Sequence, residues 1–199
     1  MTVETVLQGV LMEIGLDLPD AQIGGDSFEM RQLRGMMNAA GVDIASRAEW
    51  SRLYTDWTIG GGVSSVALPD DFHQMAEQGA VRIDKAGFRP VRAVVAPEQW
   101  DFLTRRPSTQ PYYHLRSGQL HFAPALPSEG ALVRYVSTNW VDGGDHITQN
   151  GDSLLIPERL VEKGAIWRWK RQKGQPYDDN LAEFEADLIA EIKADRGEA

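Results

Sequence analysis

Trp50-Ser51-Arg52-Leu53-Tyr54-Thr55-Asp56-Trp57-Thr58-Ile59-Gly60-Gly61-Gly62 runs directly into Val63-Ser64-Ser65-Val66-Ala67-Leu68-Pro69-Asp70-Asp71-Phe72-His73. Across this stretch the hydrophobic period of the chain changes. Before the three glycines, apolar residues recur every three or four positions, the spacing of one helix face; after them they alternate, as in a half-buried strand. The glycines therefore read as a hinge between a helical segment, carried through the aromatic cluster to Trp57, and a strand Val63–Leu68 that Pro69 ends.

Upstream, Val3, Val6, Leu7, Val10, Leu11 and Ile14 predict a first helix, with Thr2 as its cap and Gly15 as its stop. Leu16 to Gly25, with Pro19, Asp20 and Gly24-Gly25, predicts a loop. Asp26 or Ser27 then caps a longer helix with the stripe Phe28, Leu33, Met36, Met37, Ala40, Ile44, Ala48 and on to Leu53. Gly41 lies inside it, costs about 1 kcal/mol against Ala, and is the point at which this helix can kink or break. The methionines are read as core packing.

Downstream, Ala80–Asp84 and Pro90–Val95 predict two strands joined by a turn at Lys85-Ala86-Gly87, and Pro97 opens a short helix at its first position. Tyr112 to Phe122 predicts a hairpin around Ser117-Gly118, pairing Arg116 with Gln119, Leu115 with Leu120 and His114 with His121. One face would carry Tyr113, Leu115, Leu120 and Phe122, the other Tyr112, His114, Arg116, Gln119 and His121. A further strand is expected over Ala131–Val136, then an acidic, glycine-rich loop from Val141 to Asp152. Two helices close the chain: one from Pro157 to Lys173, ended by Gly174-Gln175-Pro176, and one with Leu181, Phe184, Leu188 and Ile192 on its apolar face. The fold class expected is α+β. Terminal helices form a small bundle around a central antiparallel region, sandwich or barrel-like. The organisation is a single domain over 1–199, helical to 57, β-rich over 58–155, and helical over 156–199.

The formal net charge of −9 argues against a protein that grips nucleic acid through its surface, because phosphate contacts need Lys and Arg. It suits a surface past which DNA slides without sticking. No cysteine is present, which excludes thiol catalysis, disulfides and thiolate metal sites, and suits a reducing compartment. No apolar run approaches the roughly 20 residues that span a bilayer, so synthesis in the cytoplasm and no membrane partner are expected.

Chemical constellations are weak. His114 and His121 across the hairpin lack further ligands and flank Arg116, so an exposed polar strand face is the reading taken. Asp142, Asp145, Asn150 and Asp152 lack the alternation of a calcium loop, and its twelfth position is Ser153 rather than Glu, so a solvated acidic loop is expected. Asp70, Asp71 and His73 are explained by a strand-ending turn capping a short helix. No nucleophile elbow, phosphate loop or zinc-protease motif occurs. No catalytic, cofactor-binding or metal residue is expected, and the protein is not read as an enzyme.

One segment rises above this background. Arg159, Lys163, Arg168, Lys170, Arg171 and Lys173 interleave with Trp167 and Trp169, while the following helix carries Asp178, Asp179, Glu183, Glu185, Asp187 and Glu191. The two faces can compensate each other within one chain. Equally, they can form a charge-complementary contact between identical subunits or with another protein, since aromatics and Arg are enriched at interface centres. DNA binding through the same residues conflicts with the net charge. These eight side chains, Arg159 to Lys173, are the candidate partner-binding residues.

Several weak motifs stand in one order: Glu13-Ile14-Gly15-Leu16; Ile44-Ala45-Ser46-Arg47 to Trp50; Leu68-Pro69-Asp70-Asp71-Phe72-His73; and Pro97-Glu98-Gln99-Trp100. Pro111-Tyr112-Tyr113-His114-Leu115-Arg116 with Gln119-Leu120-His121-Phe122-Ala123-Pro124 follows, then Val133-Arg134-Tyr135 and the two closing helices. Taken together the chain resembles the head-to-tail adaptor (connector) family of tailed phages, which includes tail tubular protein A of short-tailed phages and the adaptors of gene-transfer-agent-like particles. The resemblance implies a structural virion protein of the capsid–tail neck, a ring typically of twelve copies. Such a ring docks on the portal protein, receives the tail or next neck protein, and leaves a channel for double-stranded DNA without sequence-specific binding. On that reading we take the β-region to face the tail and the C-terminal helices to engage the portal, an orientation that the motifs themselves do not carry. Other readings are another neck protein (head completion or tail terminator) and a carbohydrate-binding module using Tyr112, Trp140 or Trp57. A small hydrolase using Asp70 and His73 is the last.

Overall fold

The structure, a computed structural model, describes residues 2–16, 21–77, 80–83, 90–106 and 108–197. In chain order its elements begin with α1 (Val3–Ile14), α2 (Phe28–Arg47), β1 (Tyr54–Ile59), β2 (Ser65–Ala67), β3 (Phe72–Met75), β4 (Val81–Ile83) and β5 (Arg92–Ala93). They continue with α3 (Pro97–Arg105), β6 (Tyr112–Arg116), β7 (Gln119–Ala123), β8 (Ala131–Ser137), α4 (Glu158–Gln172) and α5 (Asp178–Asp195). The protein is α+β, with helices on both sides of the β region in the chain. It divides into a helical unit, 1–53 with 138–199, and a β unit, 54–137.

In the helical unit most of the expected apolar stripes are buried, but Phe28, the first residue of the α2 stripe, is 60% exposed. Val3, Val6, Leu7, Val10 and Leu11 of α1 are buried, and Gly15 ends the helix with φ 72°. Thr2 occupies the cap position of α1, but its side chain makes no capping hydrogen bond. Ser27, not Asp26, caps α2: its hydroxyl accepts from the Met30 amide at 3.2 Å. In α2 the kink that Gly41 permits is not taken, and the expected continuation to Leu53 fails. The helix runs unbroken through Gly41, and it stops at Arg47. The stop has a physical cause. The Trp50 indole turns back and donates to the Ile44 carbonyl at 2.8 Å, taking one of the last-turn carbonyls a helix leaves open, while Trp50 and Leu53 are both buried. Gly41 is needed for packing rather than for bending: a Cβ there would lie 2.3 Å from the ring of the buried Trp140.

The loop Val141 to Asp152 is solvated at Asp142 and Asp145, as expected, but it is also anchored to the unit. Ile147 is buried, and its amide donates to Asn38 Oδ1 at 2.7 Å. The Asn150 side chain accepts from the Ile23 amide at 2.7 Å and donates to the Ala21 carbonyl at 2.9 Å. Burial would raise the Asp152 carboxyl, but amide donors from Thr148 and Gln149 hold it below the usual range.

The β unit contains two four-stranded sheets, and its described strands form no closed barrel. In the first, β8 is central. β1 pairs along one edge from Tyr54↔Val136 to Ile59↔Ala131, while β3 and β4 share the other, at Met75↔Tyr135 and Val81↔Val133. The second has the order β2-β7-β6-β5, with β5 parallel to β6. Ile59, Val81, Ile83 and Val133 of the first sheet share one buried cluster with Tyr113, Leu120 and Phe122 of the second, so the two sheets bury their inner faces against each other.

The hairpin has the expected register, with Ser117 at φ 51° and Gly118 at φ 71°, both left-handed as a type I′ turn requires. Strand β1, in contrast, occupies residues read as the end of a helix. The glycines that follow it are not a helix–strand hinge but a packed turn, where a Cβ on Gly61 would lie 2.4 Å from the Ser128 carbonyl oxygen. The predicted turn at Lys85-Ala86-Gly87 lies outside the described residues, as do Pro19 and Asp20 of the predicted loop. The two strands flanking that turn bridge only briefly, where the Val91 amide donates to Val81, and then enter different sheets.

Asp71 and His73 do not cap a helix; His73 lies on β3, and a register shift separates Phe72 from Gln74. The two Asp71 carboxylate oxygens accept from the Tyr135 hydroxyl at 2.8 Å and the Ser137 hydroxyl at 2.6 Å. Burial, with the Asp71 bond in second place, pushes the Tyr135 phenol up to about 12. Asp71→Ala removes the acceptor shared by two buried hydroxyls and is expected to destabilise the protein by about 1–3 kcal/mol. A urea midpoint equal to that of the parent chain would refute this role.

Candidate partner interface

Helix α4 carries all the candidate partner-binding residues except Lys173, which caps its C-terminus. It is the packed centre of the helical unit: Leu160, Val161, Gly164, Ala165, Ile166, Trp167 and Trp169 are all buried. Gly164 allows the closest approach, since a Cβ there would sit 2.8 Å from that of Ala40 on α2. The two tryptophans expected at an exposed face point inward. Trp167 packs beside Phe184 and Tyr177, with ring centroids 6.4 and 6.5 Å away. Trp169 lies 4.5 Å from the Lys173 ammonium.

Most of the cations are engaged within the unit. Arg168 donates to Asp43 on α2 at 2.8 Å and to the Gly164 carbonyl at 2.9 Å, and its guanidinium lies 4.2 Å from the Trp167 ring centroid. Burial is the largest influence on it and lowers its pKa from the ordinary value, against the raising effect of Asp43. Asp43 also accepts from Arg47 at 2.9 Å, and Arg47 reaches Glu185 at 2.7 Å, so one charge network ties α2, α4 and α5. Lys163 donates to Glu183 and, at 2.6 Å, to Asp187. Burial opposes its charge, but these two carboxylates outweigh it and raise its pKa. Lys170 reaches Glu13 on α1 at 2.9 Å and Asn180 at 3.1 Å, and Lys173 reaches Gln32 at 2.9 Å.

Arg159 and Arg171 differ from these. Arg159 is 70% exposed and approaches Asp187 only at 3.5 Å. Arg171 is exposed and makes no ion pair among the described residues. Of the eight residues, then, the fold brings Lys163, Trp167, Arg168, Trp169 and Lys170 into the bundle and leaves Arg159 and Arg171 facing solvent, with Lys173 exposed beside Trp169.

The remaining candidates are placed as follows. His114 and His121 are cross-strand neighbours, but their face is not an exposed polar one. Trp100 of α3 stacks on His114 at 5.2 Å, and His114 Nδ1 donates to the Val94 carbonyl at 2.6 Å. No group of three or more His, Asp or Glu is positioned to hold a metal ion among the described residues. Of the aromatics a sugar would stack on, Trp140 is fully buried, and Trp57 and Tyr112 are partly buried against clusters of the β unit. No helix of the described residues is long and apolar enough to cross a membrane.

Among curated proteins none matches the chain. The family model described as SU10 adaptor protein matches residues 1–199, over the same order of helices, two β-sheets and helices that the structure displays. The chain therefore belongs to the SU10 adaptor protein family, the phage head-to-tail adaptors.

Proposed function

We propose that this protein is a structural component of the virion neck, a ring of twelvefold order that docks on the portal protein, receives the tail or next neck protein, and encloses a channel for double-stranded DNA. The observation that carries this reading is the family match along the whole chain. The charge distribution supports it. The entire formal net charge of −9 falls within the helical unit, while Lys and Arg balance Asp and Glu in the β unit. An acidic channel wall repels the DNA backbone and lets it slide. Quantitative mass spectrometry of purified particles tests the proposal. A copy ratio to the portal protein near one-to-one supports a neck ring, and absence from the particles refutes it.

The partner contact is assigned to the Arg159–Lys173 segment, through Arg159 and Arg171 at its solvent face, with Lys163, Trp167, Arg168, Trp169 and Lys170 holding the frame. Arg159→Glu combined with Arg171→Glu is expected to leave the circular dichroism spectrum and unfolding midpoint unchanged while strongly reducing incorporation into particles. Incorporation at the parental ratio would remove α4 from the interface.

A further inference from the structure

We propose that neighbouring copies join by seating the exposed end of α3, Phe102 with Arg105 and Arg106, in the cleft between α1, α4 and α5 of the next copy. This contact rests on the ring reading above and names the surfaces that make the ring.

The receiving side is a cleft of about 330 Å³ in the helical unit. Gly9 and Ile166 contribute apolar lining, and Met12, 84% exposed, is an apolar side chain facing solvent at the same site. Three carboxylates, Glu13, Glu162 and Glu183, surround this apolar surface. Two of them have cations within the chain: Lys170 for Glu13 and Lys163 for Glu183. Glu162 accepts no hydrogen bond among the described residues. It lies over Gly9 so closely that a Cβ there would be 2.7 Å from its carboxyl carbon. Burial, which outweighs nearby Lys163 and Arg159, raises its pKa, as expected for a half-buried carboxylate short of a partner. Lys163 and Asn180 complete the lining, so the cleft is open, part apolar, and carries three carboxylates against one cation.

The inserting side has the opposite character. Phe102 is 57% exposed and Val95 85%, while Trp100 and Leu103 of the same helix as Phe102 pack with Val94, Ala123 and Tyr112 and fix α3 to its sheet. Arg106 holds its guanidinium 5.8 Å from the Phe102 ring centroid, and neither Arg105 nor Arg106 makes an ion pair among the described residues. An aromatic side chain and adjacent guanidinium groups on a rigid helix are the types enriched at the centres of interfaces. The volume suffices, since a cavity of about 150 Å³ already accepts benzene. Charge complementarity selects the occupant: the carboxylate excess lies in the helical unit, and α3 presents two unpaired arginines in the otherwise neutral β unit. Because the two surfaces differ, the contact is heterologous, the kind that closes into rings.

The absence of cysteine makes the test clean. Gln8→Cys and Gln99→Cys are introduced together into the full chain. Both are exposed positions one turn from Met12 and Phe102 on the same helix faces, so both apolar side chains of the contact stay in place. The variant is oxidised both as purified protein at high concentration and within particles, then run on a non-reducing gel. The expected result is a ladder of multiples that collapses on reduction, because a disulfide needs Cβ atoms only about 3.5–4.5 Å apart. Each single variant should give no band above dimer. Adding Arg105→Glu and Arg106→Glu should abolish the ladder while the unfolding midpoint holds. If the double-cysteine variant is present in particles at its usual copy number and gives only the bands of the single variants, this contact is wrong and the adaptor ring stands. If the charge-reversed variant keeps the ladder, seating by charge is refuted. If the parent chain is missing from particles, the ring reading itself falls, and the contact with it.

Discussion

Replacing Arg168 with Glu is expected to lower the stability of the protein by about 3 kcal/mol, because it breaks a partly buried ion pair and sets a second carboxylate against Asp43. The side chain is only 16% exposed, donates to Asp43 at 2.8 Å and to the Gly164 carbonyl at 2.9 Å, and covers the Trp167 ring. A glutamate there would turn its charge toward Asp43 and leave the carbonyl without its donor. Arg168→Met gives a contrast: Asp43 keeps Arg47, and much of the packing on Trp167 survives, so a smaller loss is expected. Urea unfolding of the three proteins decides between them. A glutamate variant as stable as the parent would show that the network adds nothing to the fold. Charge reversal at Arg168 therefore acts on folding before it can act on a partner, and only Arg159 and Arg171 can report on an interface without that effect.

The second large effect comes from two glycines on one helix. Gly41→Ala is expected to destabilise the protein by about 1–3 kcal/mol, even though alanine is the better helix former by about 1 kcal/mol. The added methyl would sit 2.3 Å from Trp140, which is 1% exposed and has nowhere to move. Gly35 is the internal control: a Cβ there meets nothing within 4 Å, so Gly35→Ala should stabilise by about 0.5–1 kcal/mol. Opposite signs at two glycines of α2 would show that packing against Trp140, and not backbone freedom, selects glycine at position 41. Equal shifts in thermal midpoint would contradict that account.

Legibility in the sequence followed the range of the interaction. The hairpin around Ser117-Gly118 was readable to the register, because the turn residues and the alternation that set it lie within a dozen positions. The helices α1, α3, α4 and α5 were readable for the same reason: period, cap and stop are local. Strand β1 was not, since an aromatic segment such as Tyr54–Ile59 becomes a strand by pairing with β8, and the Asp56–Arg134 bridge that accompanies it spans 78 positions. Asp71 was misread as a cap because its two donors, Tyr135 and Ser137, are equally remote.

The same division holds at the candidate interface. The alternation of basic and aromatic residues from Arg159 to Lys173 marked a segment of consequence, and the acidic helix after it suggested intramolecular compensation as readily as a partner. Composition cannot tell how many neighbours surround a helix. Only the packing of α1, α2 and α5 around α4 decided that both tryptophans are core and that Lys163, Arg168 and Lys170 spend their charge within the unit. By itself the sequence determined the bracketing of a β-rich region by helices, the hairpin register, the acidic and cysteine-free character, and the resemblance to a phage adaptor. Tertiary structure decided which charges remain free to meet another molecule, because a charge is neutralised by whatever the fold brings within a few ångströms, however distant in the chain.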